Sequence, residues 1–452
     1  MHDDSIMTIR KIILIQPGRD GRKFGRATSE PYTLMRLASL VPQDIPVEIW
    51  DEDLMRLPIE TLGKGDLVGI TAKTLLIDRA KAMSRKIQAQ GATVILGGTH
   101  TTLVPEEVEG WADAIAVGEG YRTWPQIIKD FDNGTLQPRY VDEEWAPLDS
   151  GVANLQDRVL KMVDEHRDYW TPYLEITRGC PRSCTFCTAI RVSGQKMRLR
   201  PIEEVVEEIE RRKLRRFFLT DDNFGLNFRL FPDYMEKLFR ALAKLPLDGW
   251  TAQAEQMVAD FPDLLDLARE AHLDKFFIGF ESINPGNRKE LGGKARGDVV
   301  RSQQVIETVQ KHGIGVVGLF VYGFDSDTPD IFPTAWEFIK NSGLDSVSAT
   351  ILTPYPGTVQ RKELLAQGRI LPHDTWERYN TNHVTYVPGQ MTVEELQNGY
   401  DWLCRRLYSP GQIAMRGLRA WKRHWPDRAR QRLFSSFSTD VGYRWETAHR
   451  LD

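Results

Sequence analysis

The sequence PYLEITRGCPRSCTFC, residues 172–187, joins a short apolar stretch to three closely spaced cysteines. The apolar stretch is typical of a buried strand, and a Gly and a Pro flank the first cysteine. Cys180, Cys184 and Cys187 follow the spacing C-x3-C-x2-C. Thiolates grouped in this way are ligands for iron–sulfur clusters or zinc. A structural zinc site normally has four ligands and no fourth lies nearby, so we predict a [4Fe–4S] cluster with one open iron.

The fourth cysteine and the composition place limits on the rest of the chain. Cys404 lies far from the other three, and we expect it in the core, on an amphipathic helix. The 452 residues are 41% hydrophobic and 27% charged, with a net charge of −4. This is typical of a globular protein of two or three domains and does not favour a nucleic-acid partner. No apolar run suits a membrane span and the first ten residues lack a signal region, so we expect a cytoplasmic protein.

The first part of the chain alternates strand and helix patterns, which predicts a parallel α/β sheet with helices on both faces. Strands are predicted at 8–17, 46–51, 66–71, 93–98 and 112–120, and helices at 31–41 and 77–90. Residues 131–170 lack a clear period and are rich in Pro, Asp and Trp. We interpret them as a linker with short helical pieces.

A second strand and helix series starts at residue 172 and predicts a full or partial β/α barrel, in which chemistry lies at the carboxyl ends of the strands. From about residue 366 the pattern becomes mainly helical. The predicted organisation is 1–135 for the first domain, 136–170 for the linker, 171–365 for the barrel and 366–452 for the helical segment.

The cysteine spacing after a first barrel strand, with polar residues ending the later strands, resembles the radical S-adenosylmethionine (SAM) enzymes. Phe186 stands at the usual aromatic position of that family, where the backbone faces the adenine of SAM. The resemblance implies SAM contacts from Phe186, Thr220, Asp221, Asp222, Gln253, Glu281 and Ser282. It does not identify a catalytic acid or base.

The stretches GGTHTTLVPEE (97–107) and VGEG (117–120) resemble the cobalamin-binding domain that precedes many radical SAM enzymes. The implied cobalamin contacts are Thr71, Gly97, Gly98, His100, Gly118 and Glu119. Many cobalamin proteins supply a cobalt-ligating His from the loop after the first strand, where residues 20–25 of this chain read DGRKFG with Arg22 at that place. A guanidinium cannot ligate cobalt. We expect His100 to contact the cofactor elsewhere, and a vestigial domain without cobalamin is the alternative.

The stretches GFDSDTP (323–329), TPYPGT (353–358) and residues 368–388 resemble a subgroup that includes hopanoid methylases. This resemblance implies C-methylation of an unactivated carbon in a small-molecule or lipid substrate. A 5′-deoxyadenosyl radical would remove hydrogen, cobalamin would carry the methyl group, and flavodoxin or ferredoxin would supply electrons. Alternatives are another cobalamin-dependent radical reaction, such as ring closure or rearrangement, and a sensor without catalysis. Methylthiolation needs a second cysteine triplet, and no cysteine precedes Cys180.

The segment 411–433 carries seven Arg and Lys residues that we single out, together with Trp421 and Trp425. These cations are Arg416, Arg419, Lys422, Arg423, Arg428, Arg430 and Arg432. Such a segment can lie on an anionic membrane surface, which would suit a lipid substrate. We favour the simpler interpretation, a solvated helix face.

Overall fold

The structure is a computed structural model and describes residues 9–18, 30–149, 151, 154–164, 169, 171–288, 290–291, 298–372, 375–423 and 439–443. Its first part is a sheet of six parallel strands in the order β2-β1-β3-β4-β5-β6. These strands are β1 Lys11–Gln16, β2 Val47–Asp51, β3 Asp66–Thr71, β4 Thr93–Gly97, β5 Ala114–Val117 and β6 Arg139–Val141. The order reverses between β1 and β3, as in doubly wound folds.

Helices cover both faces of this sheet because each carries one apolar stripe. They are α1 Tyr32–Ser39, α2 Ile77–Gln88, α3 Thr99–Leu103, α4 Pro105–Val108, α5 Thr123–Asp132 and α6 Asp157–Asp164. In α2 the buried residues Ile77, Ala80, Met83 and Ile87 recur at helical spacing. Two apolar clusters result, one on each face of the sheet.

The segment that the sequence predicted as a linker also contributes to the first sheet. β6 pairs in parallel with β5, and Tyr140 is buried while its two neighbours in the strand are exposed. Val159 of α6 packs into the same apolar cluster as α1. Three residues give too short an alternation for periodicity to reveal, so the strand was missed.

Among its described residues, the second part of the chain has eight strands, six of which form an open parallel sheet in the order β7-β10-β11-β12-β13-β14. β8 and β9 form a separate antiparallel ribbon. The bounds are β7 Tyr173–Leu174, β8 Thr177–Arg178, β9 Arg198–Leu199, β10 Arg216–Leu219, β11 Gly249–Glu255, β12 Leu273–Glu281, β13 Gly315–Tyr322 and β14 Ser346–Ile351. The predicted partial barrel and its parallel strands are confirmed.

Further helices pack around this sheet or follow it. They are α7 Ala189–Val192, α8 Ile202–Arg211, α9 Asn227–Leu230, α10 Pro232–Leu242, α11 Pro262–Glu270, α12 Val299–Lys311, α13 Ile331–Asn341, α14 Val359–Ala366, α15 Val393–Leu407 and α16 Pro410–Arg423. A single large apolar cluster fills the space between sheet and helices. Cys404 of α15 is buried in this cluster, as the sequence predicts.

The basic segment 411–433 is only partly described. Arg416 is buried and its Nε donates to Oδ2 of Asp440 at 2.7 Å, so this cation is not part of a solvated face. Arg419 donates to the carbonyl oxygen of Lys340. Trp425, Arg428, Arg430 and Arg432 lie outside the described residues, as do residues 20–25.

Within the described part of the chain, no helix combines the length and the apolar character needed to cross a bilayer.

Buried charged groups connect the domain of the first sheet to the barrel. Glu30 accepts from Arg212 of the barrel at 2.5 Å and from the backbone N–H of Tyr173 at 2.7 Å. The hydroxyl of Tyr32 donates to Glu208, which also pairs with Arg212. All of these groups are nearly excluded from solvent, so the interface is fixed by directional contacts rather than by apolar area alone.

Candidate functional site

The three clustered cysteines lie in a loop that the β8–β9 ribbon closes. We call residues 179–197 the cysteine loop. The backbone N–H of Cys180 donates to the carbonyl oxygen of Gly194 at 3.0 Å across it. Gly179 has φ +94°, and a β-carbon there would overlap the carbonyl oxygen of Lys196. Glycine is therefore required at the point where the chain turns from β8 into the first cysteine.

Cys180 is buried, whereas Cys184 and Cys187 are half-buried. Burial raises the pKa of Cys180, and burial together with the neighbouring thiols of Cys184 and Cys180 raises that of Cys187 to about 11. No three His, Cys, Asp or Glu side chains among the described residues are close enough to hold a single metal ion. A cluster differs from a single ion because each thiolate binds its own iron. Occupation of the site requires the thiols to lose their protons.

The two aspartates after β10 hold the backbone that leads from the first barrel strand, β7, into the cysteine loop. Asp221 is buried and accepts from the N–H groups of Ile176 and Thr177 at 2.9 and 2.8 Å and from the Thr177 hydroxyl at 2.7 Å. Burial raises the pKa of Asp221 to about 7. Asp222 accepts from the N–H of Gly179 at 2.9 Å, and burial raises its pKa too. Both side chains therefore shape the loop entrance.

A group beside Cys180 was not found from the sequence. Glu255, the last residue of β11, accepts two hydrogen bonds from Arg182 at 2.6 and 2.5 Å. It also accepts from Asn223 at 2.6 Å, whose amide nitrogen lies 3.9 Å from the Cys180 sulfur. The available signal was the arginine between the first two cysteines, since a buried cation there needs an anion.

The other predicted SAM contacts lie at the carboxyl edge of the same sheet. Thr220 follows β10 and Gln253 lies in β11, and both are half-buried. Glu281 ends β12 with φ +63°, a strained conformation for a residue with a side chain. Ser282 is buried and accepts from the N–H of Asn284.

Phe186 packs near this edge, with its ring centre 6.1 Å from that of Phe324. The structure thus brings all of the predicted SAM residues and the cysteine loop to one end of the barrel.

The glycines of the first domain shape its carboxyl-edge loops. Gly98 has φ +96°, and a β-carbon there would overlap Ala72 and Thr71. Gly118 has φ +106°, and its N–H donates to the Thr102 hydroxyl oxygen at 3.1 Å. Thr102 in turn donates to the carbonyl oxygen of Gly98 at 2.9 Å. The loops after β3, β4 and β5 therefore support one another directly.

His100 is fully buried in this edge, and neither ring nitrogen has a hydrogen-bond partner among the described residues. Its ring lies edge-on to Trp376, with the centres 4.8 Å apart. Burial, with a smaller contribution from the Arg361 cation, lowers the pKa of His100 to about 4. The imidazole is therefore neutral at physiological pH and offers one donor and one acceptor.

The carboxyl edges of the two sheets face each other. α3, which contains His100, packs against α7 of the cysteine loop, and Leu103 lies against Gly357 of the loop after β14. A cavity of about 500 Å³ opens beside these contacts. Its lining includes Trp145, Cys184, Cys187, Arg191, Lys196 and Thr358.

Comparisons with known proteins agree with this architecture. The sequence pattern of the Radical SAM superfamily matches residues 174–339. The bacteriochlorophyllide d C-12(1)-methyltransferase of Chlorobaculum tepidum is 28% identical over 417 residues, covering 90% of this chain and 89% of that protein. The hopanoid C-2 methylase of Rhodopseudomonas palustris is 24% identical, covering 83% of this chain and 74% of that protein.

Among solved structures, the fold is similar to that of the radical SAM methyltransferase TsrM from Kitasatospora setae, determined with cobalamin and a [4Fe–4S] cluster bound. The TM-score is 0.66 at 14% identity, and the match covers 96% of this chain and 99% of that one. The likeness extends over both sheets and not over the barrel alone.

Proposed function

We propose that this protein, whose residues 174–339 match the Radical SAM superfamily, is a cobalamin-dependent radical SAM methyltransferase that methylates carbon in a small-molecule substrate. The observation that carries the proposal is the meeting of the carboxyl edges of the two sheets. Doubly wound sheets and barrels both bind ligands at that edge. A substrate between the edges would lie within reach of both sites.

The residues at the barrel edge fit a [4Fe–4S] cluster and SAM. Cys180, Cys184 and Cys187 are three thiols from one loop, and no fourth cysteine is near because Cys404 is buried in α15. Three thiolates leave one iron open, as SAM binding needs. Phe186 and the residues that follow the strands would surround SAM. Cys180 is buried, and Cys184 and Cys187 line the cavity between the two edges.

The edge of the first sheet fits cobalamin. His100 presents buried ring nitrogens without a hydrogen-bond partner among the described residues, which suits a site that a polar ligand completes. A β-carbon at Gly97 would make only ordinary van der Waals contacts with Ala116, at 3.5 and 3.7 Å. We propose that His100, Gly97 and Thr71 face this cofactor. When bound, the [4Fe–4S] cluster would supply an electron, SAM a carbon-centred radical, and cobalamin a methyl group.

Residues of the barrel hold the cysteine loop in place for this chemistry. Asp222 holds the N–H of Gly179, and Glu255 holds Arg182, so the cysteine loop is fixed on both sides of Cys180. The electrons come, in this proposal, from flavodoxin or ferredoxin.

The test is anaerobic turnover with SAM labelled in its methyl group, with reductant, and with or without added hydroxocobalamin. We expect 5′-deoxyadenosine from the barrel site, and S-adenosylhomocysteine only when cobalamin is present. The first substrates to test are tetrapyrroles and hopanoids, because two relatives are named as methylating a bacteriochlorophyllide and a hopanoid. A product that gains the labelled methyl group supports the proposal.

Each alternative has its own outcome in this assay. A product that changes without gaining the label indicates ring closure or rearrangement. Deoxyadenosine without any effect of cobalamin indicates a vestigial first domain. A protein that binds the cofactors and forms no deoxyadenosine is a sensor, and the proposal is then wrong.

A further inference from the structure

Glu119 lies in the loop after β5, between two glycines with positive φ. Its side chain is only 4% exposed. The Arg198 guanidinium donates to both of its carboxylate oxygens, at 2.7 and 2.8 Å. The Arg178 guanidinium lies 3.2 Å from the same carboxylate. Sequence resemblance placed Glu119 among the cobalamin contacts, but in the structure two cations from the barrel already occupy its oxygens.

These two arginines hold a particular place in the barrel. Arg178 and Arg198 are paired across the β8–β9 ribbon, and that ribbon closes the loop with all three cluster cysteines. Arg198 also donates to the carbonyl oxygen of Ser193 at 2.6 Å, inside the loop. Glu119 of the first domain therefore holds the Arg198 side of the neck of the cysteine loop by two hydrogen bonds and lies in ion-pair distance of the Arg178 side, where Arg178 is itself hydrogen-bonded to Glu175.

The other end of this connection reaches the opposite edge. Gly118, next to Glu119, donates to the Thr102 hydroxyl, and Thr102 donates to Gly98. The backbone next to Glu119 is thus hydrogen-bonded, through Thr102, to the segment after β4 that contains Gly98 and His100. A displacement of the cysteine loop would be transmitted through Glu119 to the loops that face it.

We propose that Glu119 is a positioning residue that fixes the cysteine loop against the first domain and so sets the alignment of the two cofactor sites. A buried bidentate carboxylate–guanidinium pair suits this role, because its geometry is directional and its loss leaves Arg198 without its carboxylate partner, whereas Arg178 keeps Glu175. The part of the proposal that concerns the cofactors depends on the proposed function. The part that concerns the loop does not.

The chain offers a matched control. Glu30 also joins the two domains through a buried carboxylate–guanidinium pair, with Arg212 at 2.5 Å. It is 6% exposed, and Arg212 lies in the turn after α8, outside the cysteine loop. Glu119→Gln and Glu30→Gln remove the same charge from the same interface. Only the first acts on the loop neck.

The first experiment uses metal-free protein and measures the rate at which iodoacetamide alkylates Cys180, which is buried, whereas Cys184 and Cys187 line the cavity. We expect Glu119→Gln to raise this rate about tenfold or more over wild type, since a loop without its anchor opens more often. Glu30→Gln should stay near the wild-type rate. Should the Gln variant not fold, Glu119→Asp, which is one methylene shorter, answers the same question.

The second experiment uses protein loaded with iron, sulfide and hydroxocobalamin and measures electron paramagnetic resonance. In wild type and Glu30→Gln, we expect the reduced cluster to accelerate relaxation of the Co(II) signal. Glu119→Gln should lose this acceleration while its iron and cobalt contents stay unchanged.

If Glu119→Gln is alkylated faster but its Co(II) relaxation is unchanged, the positioning role is wrong and Glu119 is only a structural anchor of the loop. Changed relaxation with unchanged alkylation makes Glu119 a cofactor contact instead, and also overturns the proposal. If wild type holds no cobalt, the proposed function fails, and the alkylation rates still decide whether Glu119 anchors the loop.

Discussion

The turn from β8 into the cysteine loop gives the sharpest stability prediction, through Gly179→Ala. Gly179 has φ +94°, where a residue with a β-carbon costs about 1–2 kcal/mol. The new methyl group would also overlap the Lys196 carbonyl oxygen, which belongs to backbone and cannot rotate away. Relief of that overlap must displace the loop and weaken the 3.0 Å bond from Cys180 to Gly194, at about 1 kcal/mol.

We therefore expect Gly179→Ala to lower the free energy of unfolding by about 3 kcal/mol. Gly368→Ala is the control, because Gly368 also has positive φ, +66°, but has no atom within 4 Å of its would-be β-carbon. It should lose only about 1 kcal/mol. Urea unfolding of the metal-free proteins, followed by tryptophan fluorescence, measures both. Equal losses for the two variants would refute the steric argument, and so would full iron incorporation by Gly179→Ala.

Two further predictions concern the cluster and a buried acid. Cys184→Ala should lose iron and form no 5′-deoxyadenosine, because one iron lacks its thiolate. Cys404→Ala should keep its iron. Loss of iron from Cys404→Ala would show that Cys404 is misassigned. The raised pKa of Asp221 means that its protonated form is favoured in the fold, so its contribution to stability is complete below about pH 4 and is lost as the pH rises through about 7. Urea midpoints of wild type should therefore fall relative to those of Asp221→Asn across this range, and parallel pH profiles would contradict the assignment.

Much of the fold follows from the sequence because its strands are long apolar runs that alternate with amphipathic helices. β3 has the predicted bounds, Asp66–Thr71. β6 could not be predicted in the same way. It is a three-residue edge strand held by pairing with β5 and by the burial of Tyr140, and both of these are tertiary effects.

The candidate site likewise has a part that follows from local sequence and a part that depends on tertiary contacts. The cysteines and the strand-end residues were predictable because their chemistry is local in sequence. The partners of Arg182 and Glu119 were not predictable, since the atoms that meet lie 73 and 79 positions apart. Sequence spacing locates a loop that can bind a cofactor, but it does not show which of its charges are already neutralised by the protein.

The most direct test of the account is the metal content of protein expressed with a cobalamin supply and purified without oxygen. Iron, sulfide and cobalt are measured together with the visible spectrum. We predict about four irons and one cobalt per chain, because we propose a [4Fe–4S] cluster at the barrel edge and cobalamin at the edge of the first sheet. About four irons with no cobalt, even after added hydroxocobalamin, would contradict the methyltransferase proposal and leave a radical SAM enzyme whose first domain is a scaffold.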